Sequence, residues 1–411
     1  MKFIKSNKSI YGVTFIVLVL GILLRFLVAT RGYNYDFESW IVIGDVMREG
    51  RNPYTEAGLQ HNLVTTGPIW PNILSIIQKF TNPIFPSKKN LFYFPITDDI
   101  ANFRYAITGL LTIVDLCIYF ILFRIYSLKI ASIFFINPIT IILSGYHSSI
   151  DNIGILFGFI AMIIYGKNMK SRFNLRRIIG LLFLGISLIT KHIFIFFPLW
   201  LTVKQKGFRQ KFIIILLPLI IFILGFLPYW ESGSENIINR IIFRTDSWNH
   251  APFWRLFLPY VFHYYEFSTR FYFFLTMIIL AFVFRKFDVW KSMIFYTASL
   301  VIFSSVVGNQ YYAIIMPFIA IYMNWAFVIF TFIGTYHLLT SVDSLHFGFL
   351  REITPNLFLQ SYNYYYMTLF LFIGFLWIFY KEKMVFMGRS FLSKTKGIIT
   401  KEIKNQFNVN E

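Results

Sequence analysis

The stretch YGVTFIVLVLGILLRFLVAT, residues 11–30, decides the class of fold. As a helix it is long enough to cross a bilayer hydrocarbon core of roughly 30 Å. It is too long for the apolar region of a typical signal peptide and lacks a clear small-x-small cleavage site, so it is expected to persist as a retained signal anchor. Comparable or shorter apolar runs recur along the chain. They place spans at roughly 11–30, 103–124, 130–145, 149–166, 178–190, 192–203, 212–230, 271–284, 291–307, 310–322, 324–340 and 362–380. Several fall short of the roughly 17–25 residues of an ordinary spanning helix, which predicts tilted, broken or re-entrant segments lining a cavity.

Composition agrees. With 57% hydrophobic and only 14% charged residues, the chain is far more apolar than an ordinary soluble protein, as is its mean hydropathy of +0.62. The expected fold is all-α and polytopic, with about twelve transmembrane helices (between ten and thirteen) and a large first extracytoplasmic loop carrying interfacial helices. Residues 1–380 read as one transmembrane domain with outer loops at 31–102 and 231–270. Residues 381–411 read as a basic cytoplasmic tail.

Charge tests this map. With the N-terminus in the cytoplasm, the cytoplasmic segments hold 24 of the 38 cations and four acids, Asp288, Glu382, Glu402 and Glu411. The opposite side holds 14 of each, and Asp115 is the one acid left inside a span, where it needs a hydrogen-bonding partner. The net charge of +19 is therefore a positive-inside signature, and nucleic-acid binding is set aside. Those cations are expected to lie against anionic lipid headgroups. The expected location is the plasma membrane, both termini cytoplasmic and the active site outside. Cys117 is alone, so no intrachain disulfide or cysteine-based zinc site forms, and it reads as a small packing residue.

The long hydrophilic regions all lie on the outer side, which puts function there. In YNYDFESW (33–40), either Asn34 or Asp36 is placed to cap a short helix through about Glu49. Phe37, Trp40, Ile41, Gly44 and Met47 would share one face of it, with Trp40 toward lipid headgroups. Gly50 suits the C′ position, and Pro53 in GRNPY (50–54) prevents continuation. Asp36 thus has two readings, a capping residue or a carboxylate working on a polar substrate beside the membrane.

Further candidates follow. In GYHSSIDN (145–152), His147 and Asp151 would share a helical face as an acid–base pair, a metal pair or a hydrogen-bonded helix start. Lys191 and His192 occupy the outer TKH turn, where a cation against the positive-inside trend suits a phosphate or snorkels to headgroups. Arg240, Arg244, Arg255, His250 and His263 stand among Trp230, Trp248, Trp254 and Tyr260, residue types that bind phosphate through a planar fork and stack on sugar rings. Asn309, Gln310 and Tyr311 in GNQYY mark another outer break with groups suited to hydroxyl binding. No Walker loop, Rossmann glycine pattern, HExxH or nucleophile elbow appears in context, and no internal repeat of the transporter kind stands out.

In order along the chain, Asp36, GRNPY, the Asn137–Pro138 pair with its following G-x-H-x-x-x-D, the TKH turn and NQYY-x-x-x-x-P resemble the C-type integral-membrane glycosyltransferases. The similarity is closest to the polyprenyl-phosphate-mannose-dependent mannosyltransferases. The tyrosine–proline–proline element of that family is reduced here to GPIWPN (67–72), and a two-acid motif at Asp36 is not clear. What the resemblance implies is inverting transfer of a mannosyl or other hexosyl group from a polyprenyl-phosphate sugar to a lipid-linked or cell-surface glycan. Asp36 would be the catalytic base and Lys191 would lie near the lipid phosphate. The scheme requires no metal or other cofactor, though Asp98 and Asp99 leave a divalent ion open. The competing class is a transporter or flippase, with Asp36, Asp115, His147 and Lys191 along its path.

Overall fold

The computed structural model describes residues 8–55, 64–83, 98–166, 173–242, 251–258, 266–341, 343–353 and 363–382, and among these it is all-α. The helices are α1 (Lys8–Ala29), α2 (Tyr35–Arg48), α3 (Ile69–Thr81), α4 (Asp98–Ile125), α5 (Leu128–Phe135), α6 (Pro138–Gly145), α7 (Asp151–Tyr165), α8 (Leu175–Thr190) and α9 (Phe197–Thr202). They continue as α10 (Phe208–Phe226), α11 (Trp230–Asn236), α12 (Pro252–Phe257), α13 (Glu266–Val283), α14 (Val289–Phe303), α15 (Tyr311–Ile321), α16 (Trp325–Thr340), α17 (Gly348–Ile353) and α18 (Asn363–Glu382).

Among the described residues, four helical stretches are long and apolar enough to cross a membrane: Tyr11–Ala29, Ile100–Ile125, Phe208–Ile241 and Asn363–Glu382. α5 and α6 together make a fifth, bent by 50°. The bend follows from sequence: Asn137 Oδ1 accepts from the Ile139 N–H at 3.0 Å, and Pro138 opens the new helix with no N–H of its own. Five shorter apolar helices complete the set, at 151–165, 269–283, 289–303, 311–321 and 325–340. This architecture fits a polytopic membrane protein. The segment expected to span at 192–203 is instead a 3-10 turn, His192–Phe194, followed by the six-residue α9, which rises only about 9 Å.

One buried ion pair ties α1, α4, α6 and α7 together. Arg25 Nε and Nη2 both reach Asp115 Oδ2 at 2.9 Å, and neither side chain is exposed. Ser144 Oγ donates to the same oxygen at 2.6 Å and Asn152 Nδ2 to the other at 2.6 Å. Arg25 Nη1 also takes the Gly21 and Phe135 carbonyls, and its plane lies 4.2 Å from the Phe135 ring. Gly145 permits the approach, because a Cβ there would stand 2.7 Å from the Arg25 carbonyl. Cys117, expected to pack inside, is on the exposed face of α4.

The region that follows α1 is built as a joint. α2 pairs with α3 through edge-on Trp40 and Trp70, whose ring centroids are 5.6 Å apart. Trp40 is therefore buried against protein, not turned toward headgroups, because α3 offers it a larger apolar face. α2 ends in a Schellman turn: Gly50 stands at φ +73°, its N–H bonds Met47 O, and the Arg51 N–H bonds Val46 O. Asn52 then donates to Tyr229 O and Ser232 Oγ, and Asn236 donates back to Tyr54 O. GRNPY is thus a dock for the extension of α10 beyond Phe226. Within the expected loop at 231–270, α11 and a π turn through Ile242 carry the helix onward. The 34 residues of Phe208–Ile241 span about 50 Å, more than the hydrocarbon core requires.

Candidate functional site

Loops from five parts of the chain meet at one end of this bundle, beginning with the start of α2. Asn34, extended at φ −105°, is the residue that caps α2, its Oδ1 accepting from the Phe37 N–H at 3.3 Å. That leaves Asp36 two residues inside, on the first turn of the helix and half-buried. Asn34 Nδ2 lies 3.5 Å from Asp36 Oδ2 and donates to His147 Nδ1 at 2.9 Å. Since that nitrogen accepts, the neutral ring carries its proton on Nε2 and donates to Ser344 Oγ at 2.7 Å. Burial lowers the His147 pKa below its ordinary value, which keeps the ring neutral at pH 7.

Asp36 is electrostatically unusual. Burial pushes its carboxyl up to about 6, the Lys191 charge and the Asn34 amide oppose that rise, and the negative charges of Asp343 and Asp151 add to it. A base of this strength is close to what proton abstraction near neutral pH requires. Lys191 ends α8 in extended conformation, is only 7% exposed, and places Nζ 3.8 Å from Asp151 Oδ1. Ser149 Oγ donates to the other Asp151 oxygen at 3.2 Å. The reduced GPIWPN element packs beside this cation: the Gly67 N–H bonds Thr190 O, and a Cβ on Gly67 would stand 1.9 Å from Ile189 O.

A second lattice adjoins the first through the 341–344 turn. Asp343 accepts from Ser341 Oγ and from Asn309 Nδ2, the latter at 3.1 Å. His337 Nε2 and the Tyr364 hydroxyl both donate to Asn309 Oδ1, at 2.9 and 2.8 Å, and Asn363 Nδ2 donates to His337 Nδ1 at 3.2 Å. Arg104 braces the floor. Its Nη1 donates to Ser148 Oγ at 2.6 Å, and its Nη2 takes the Gly145 and Tyr146 carbonyls at 2.6 and 2.7 Å. Its guanidinium lies 4.7 Å from the Phe37 ring. Ser148 is thereby held at φ +54°, a left-handed conformation uncommon for serine, beside His147.

The structure brings Asp36, His147, Asp151 and Lys191 to this end of the bundle. His147 and Asp151 do not share a helical face, however, because α7 begins only at Asp151 and His147 belongs to the preceding turn. His192 opens the 3-10 turn next to Lys191 and is half-buried. Gln310 stands at the cap of α15 without a side-chain capping bond, and Tyr311 follows it, both half-buried; Asn309 is the amide that enters the lattice. Arg255 lies on α12 and donates to the Tyr365 hydroxyl at 3.3 Å. Arg244, His250 and His263, with Trp248 and Tyr260, lie outside the described residues.

Arg104, His337, Asp343, Ser344, Asn363 and Tyr364 escaped the sequence reading. A histidine late in an apolar run, followed six residues on by an acid, was the available signal for His337 and Asp343. Asp98 is exposed at the start of α4, and among the described residues no group of three His, Cys, Asp or Glu side chains is arranged to hold a metal ion. No known family pattern matches the chain, and no curated protein matches its sequence.

Proposed function

We propose that the chain is an inverting glycosyltransferase of the C type, moving a hexosyl group, mannose being the first candidate, from a polyprenyl-phosphate sugar to a lipid-linked or cell-surface glycan. The observation that carries this reading is Asp36: a half-buried carboxylate whose pKa is raised to about 6, beside a buried cation, where polar loops converge at the end of an apolar bundle. Asp36 takes the proton of the acceptor hydroxyl as its oxygen bonds the anomeric carbon. The bond from that carbon to the phosphate oxygen breaks on the opposite side, and polyprenyl phosphate leaves. Lys191 meets the phosphate as a point charge where little water competes, and in doing so exchanges its 3.8 Å contact with Asp151 for the leaving group. The hydroxyl, amide and imidazole groups of the adjoining lattice suit sugar hydroxyls.

The same reading includes about twelve spans, cytoplasmic termini and an extracytoplasmic site. Its support is the pairing of loops. Contacts join residues 34, 147, 309, 343 and 344 at one end. At the other end, Lys204 donates to the carbonyls of Phe284, Arg285 and Phe287, Trp290 donates to Tyr126, and Lys291 pairs with Glu382. The saturated Asp115 fits poorly with a coupling path for transport.

The deciding experiment incubates purified protein with a panel of polyprenyl-phosphate sugars and measures release of polyprenyl phosphate. Release that depends on Asp36 and on an acceptor is expected. Efficient transfer from a nucleotide sugar with no lipid donor would end the donor assignment.

A further inference from the structure

At the end of the bundle away from Asp36, a groove of about 710 Å³ opens between the last turns of α4 and α7 and the first turn of α14. Its walls are apolar, formed by Phe120, Phe123, Met162, Ile163 and Trp290, and Arg124 and Arg176 are the charged residues of its lining. Its depth in a membrane follows from α4. Arg104, twenty residues before Arg124 on the same helix, binds carbonyls at the Asp36 end. Twenty residues of α-helix rise about 30 Å, the thickness of the hydrocarbon core. Arg124 therefore stands at headgroup level of the opposite leaflet, with Phe120 about one turn deeper among acyl chains.

Among the described residues, the charge there is uncompensated. Arg124 is exposed, and its side chain makes no hydrogen bond or ion pair with another described residue. Arg176 spends Nε and Nη2 on the Ile164 and Ile163 carbonyls at the end of α7, leaving its Nη1 edge uncommitted. The acids that act on neighbouring Tyr126, Asp288 and Glu382, are engaged: Asp288 caps α14 and Glu382 pairs with Lys291. An apolar slot at acyl depth under two cations at phosphate depth is complementary to one class of molecule.

We propose that this groove is a binding site for one anionic phospholipid, its phosphate between Arg124 and Arg176 and an acyl chain along Phe120, Phe123 and Ile163. The site rests on the membrane reading alone and is independent of the transferase reading.

The test uses the full chain reconstituted in phosphatidylcholine vesicles containing phosphatidylglycerol, extracted in mild detergent and weighed by native mass spectrometry. The parent should retain one phosphatidylglycerol in preference to phosphatidylcholine. Arg124→Gln should lower that retention about fivefold, the effect of one cation at an anionic surface. Since Arg124 makes no side-chain bond to another described residue, thermal stability should not change. Lys129→Gln, outside the groove lining, should retain lipid as the parent does, and Ile163→Trp, which fills the slot, should reduce retention with both arginines intact. Equal retention of the two phospholipids, or undiminished phosphatidylglycerol in Arg124→Gln, would overturn the proposal. So would displacement of phosphatidylglycerol by equimolar polyprenyl phosphate, which would make the groove a site for the isoprenoid lipid.

Discussion

Two buried carboxylate–cation clusters among the described residues are built on opposite plans. Around Asp115, donors from Arg25, Ser144 and Asn152 saturate both oxygens, and nothing reaches solvent. Around Asp36, the one donor among the described residues is the Asn34 amide at 3.5 Å, the cation lies closer to a second carboxylate, and a third acid stands nearby. The first arrangement locks four helices. The second is left under-coordinated at a place where chain segments part, and so retains capacity to bind and to exchange a proton. Charge within an apolar bundle does not by itself mark function; unfinished coordination does so far better.

The largest effect should come from breaking the saturated pair. Arg25→Met leaves Asp115 buried and unpaired, at a cost of about 3–5 kcal/mol. Thermal unfolding in detergent should show the loss, and Arg25→Met with Asp115→Leu should recover most of it. If the single variant unfolds like the parent, the cluster does not lock the bundle.

Asp36→Asn should do the reverse, leaving insertion intact and lowering transfer at least about a hundredfold, the lower end of a general base's usual contribution. Because Asn34 holds the cap, no capping loss accompanies the change. The stability effect also has a sign. A carboxyl raised to about 6 in the fold, against 3.8 in the open chain, stabilises below about pH 4 and loses that contribution as pH rises through 6. Asp36→Asn should therefore melt with the parent at pH 4 and above it at pH 8. Near-normal turnover in this variant would remove Asp36 from the chemistry.

Lys191→Met should cut use of a polyprenyl-phosphate donor about tenfold or more, the usual cost of losing a hydrogen bond to a charged group. Lys191→Arg should keep part of the activity, since charge persists with altered geometry. Unaltered turnover in Lys191→Met would place the phosphate elsewhere, with Arg255 next to be tested.

The smallest effects should be shifts in the acid limb of the pH–rate profile, expected near pH 6 in the parent. Lys191 lowers the Asp36 pKa and Asp343 raises it, so Lys191→Met should move the limb upward and Asp343→Asn downward. Movement of both variants in the same direction would show that these residues do not act on Asp36 through their charge.

Much of the scaffold was legible in residue order. The apolar runs mark the long helices, Asn137–Pro138 breaks one of them, and Gly50 with Pro53 ends α2. These are local consequences of hydropathy, a missing N–H and a positive φ, and each is set within a few residues. The site was legible only in its near members. Asp36, His147, Asp151 and Lys191 stand out as polar residues at helix ends. His337, Asp343 and Asn363 lie some 300 to 330 residues beyond Asp36 and acquire meaning only when α16 and α18 bring them beside it.

The sequence by itself determined that this chain favours an apolar, helical environment, that its cations crowd one set of loops, and roughly where its helices begin and stop. Periodicity and charge act over a turn or two of chain, so they can be read without a fold. Only the tertiary structure decided that Asn34 and not Asp36 caps α2, that Trp40 faces α3, that Asp115 is matched by Arg25, and that Asp36 is left facing Lys191. Apart from the local cap, those outcomes depend on which surfaces meet across thirty or more residues, and on how many donors each carboxylate finds there. Long-range packing sets that number, because a buried charge takes every partner the surrounding helices can bring to it.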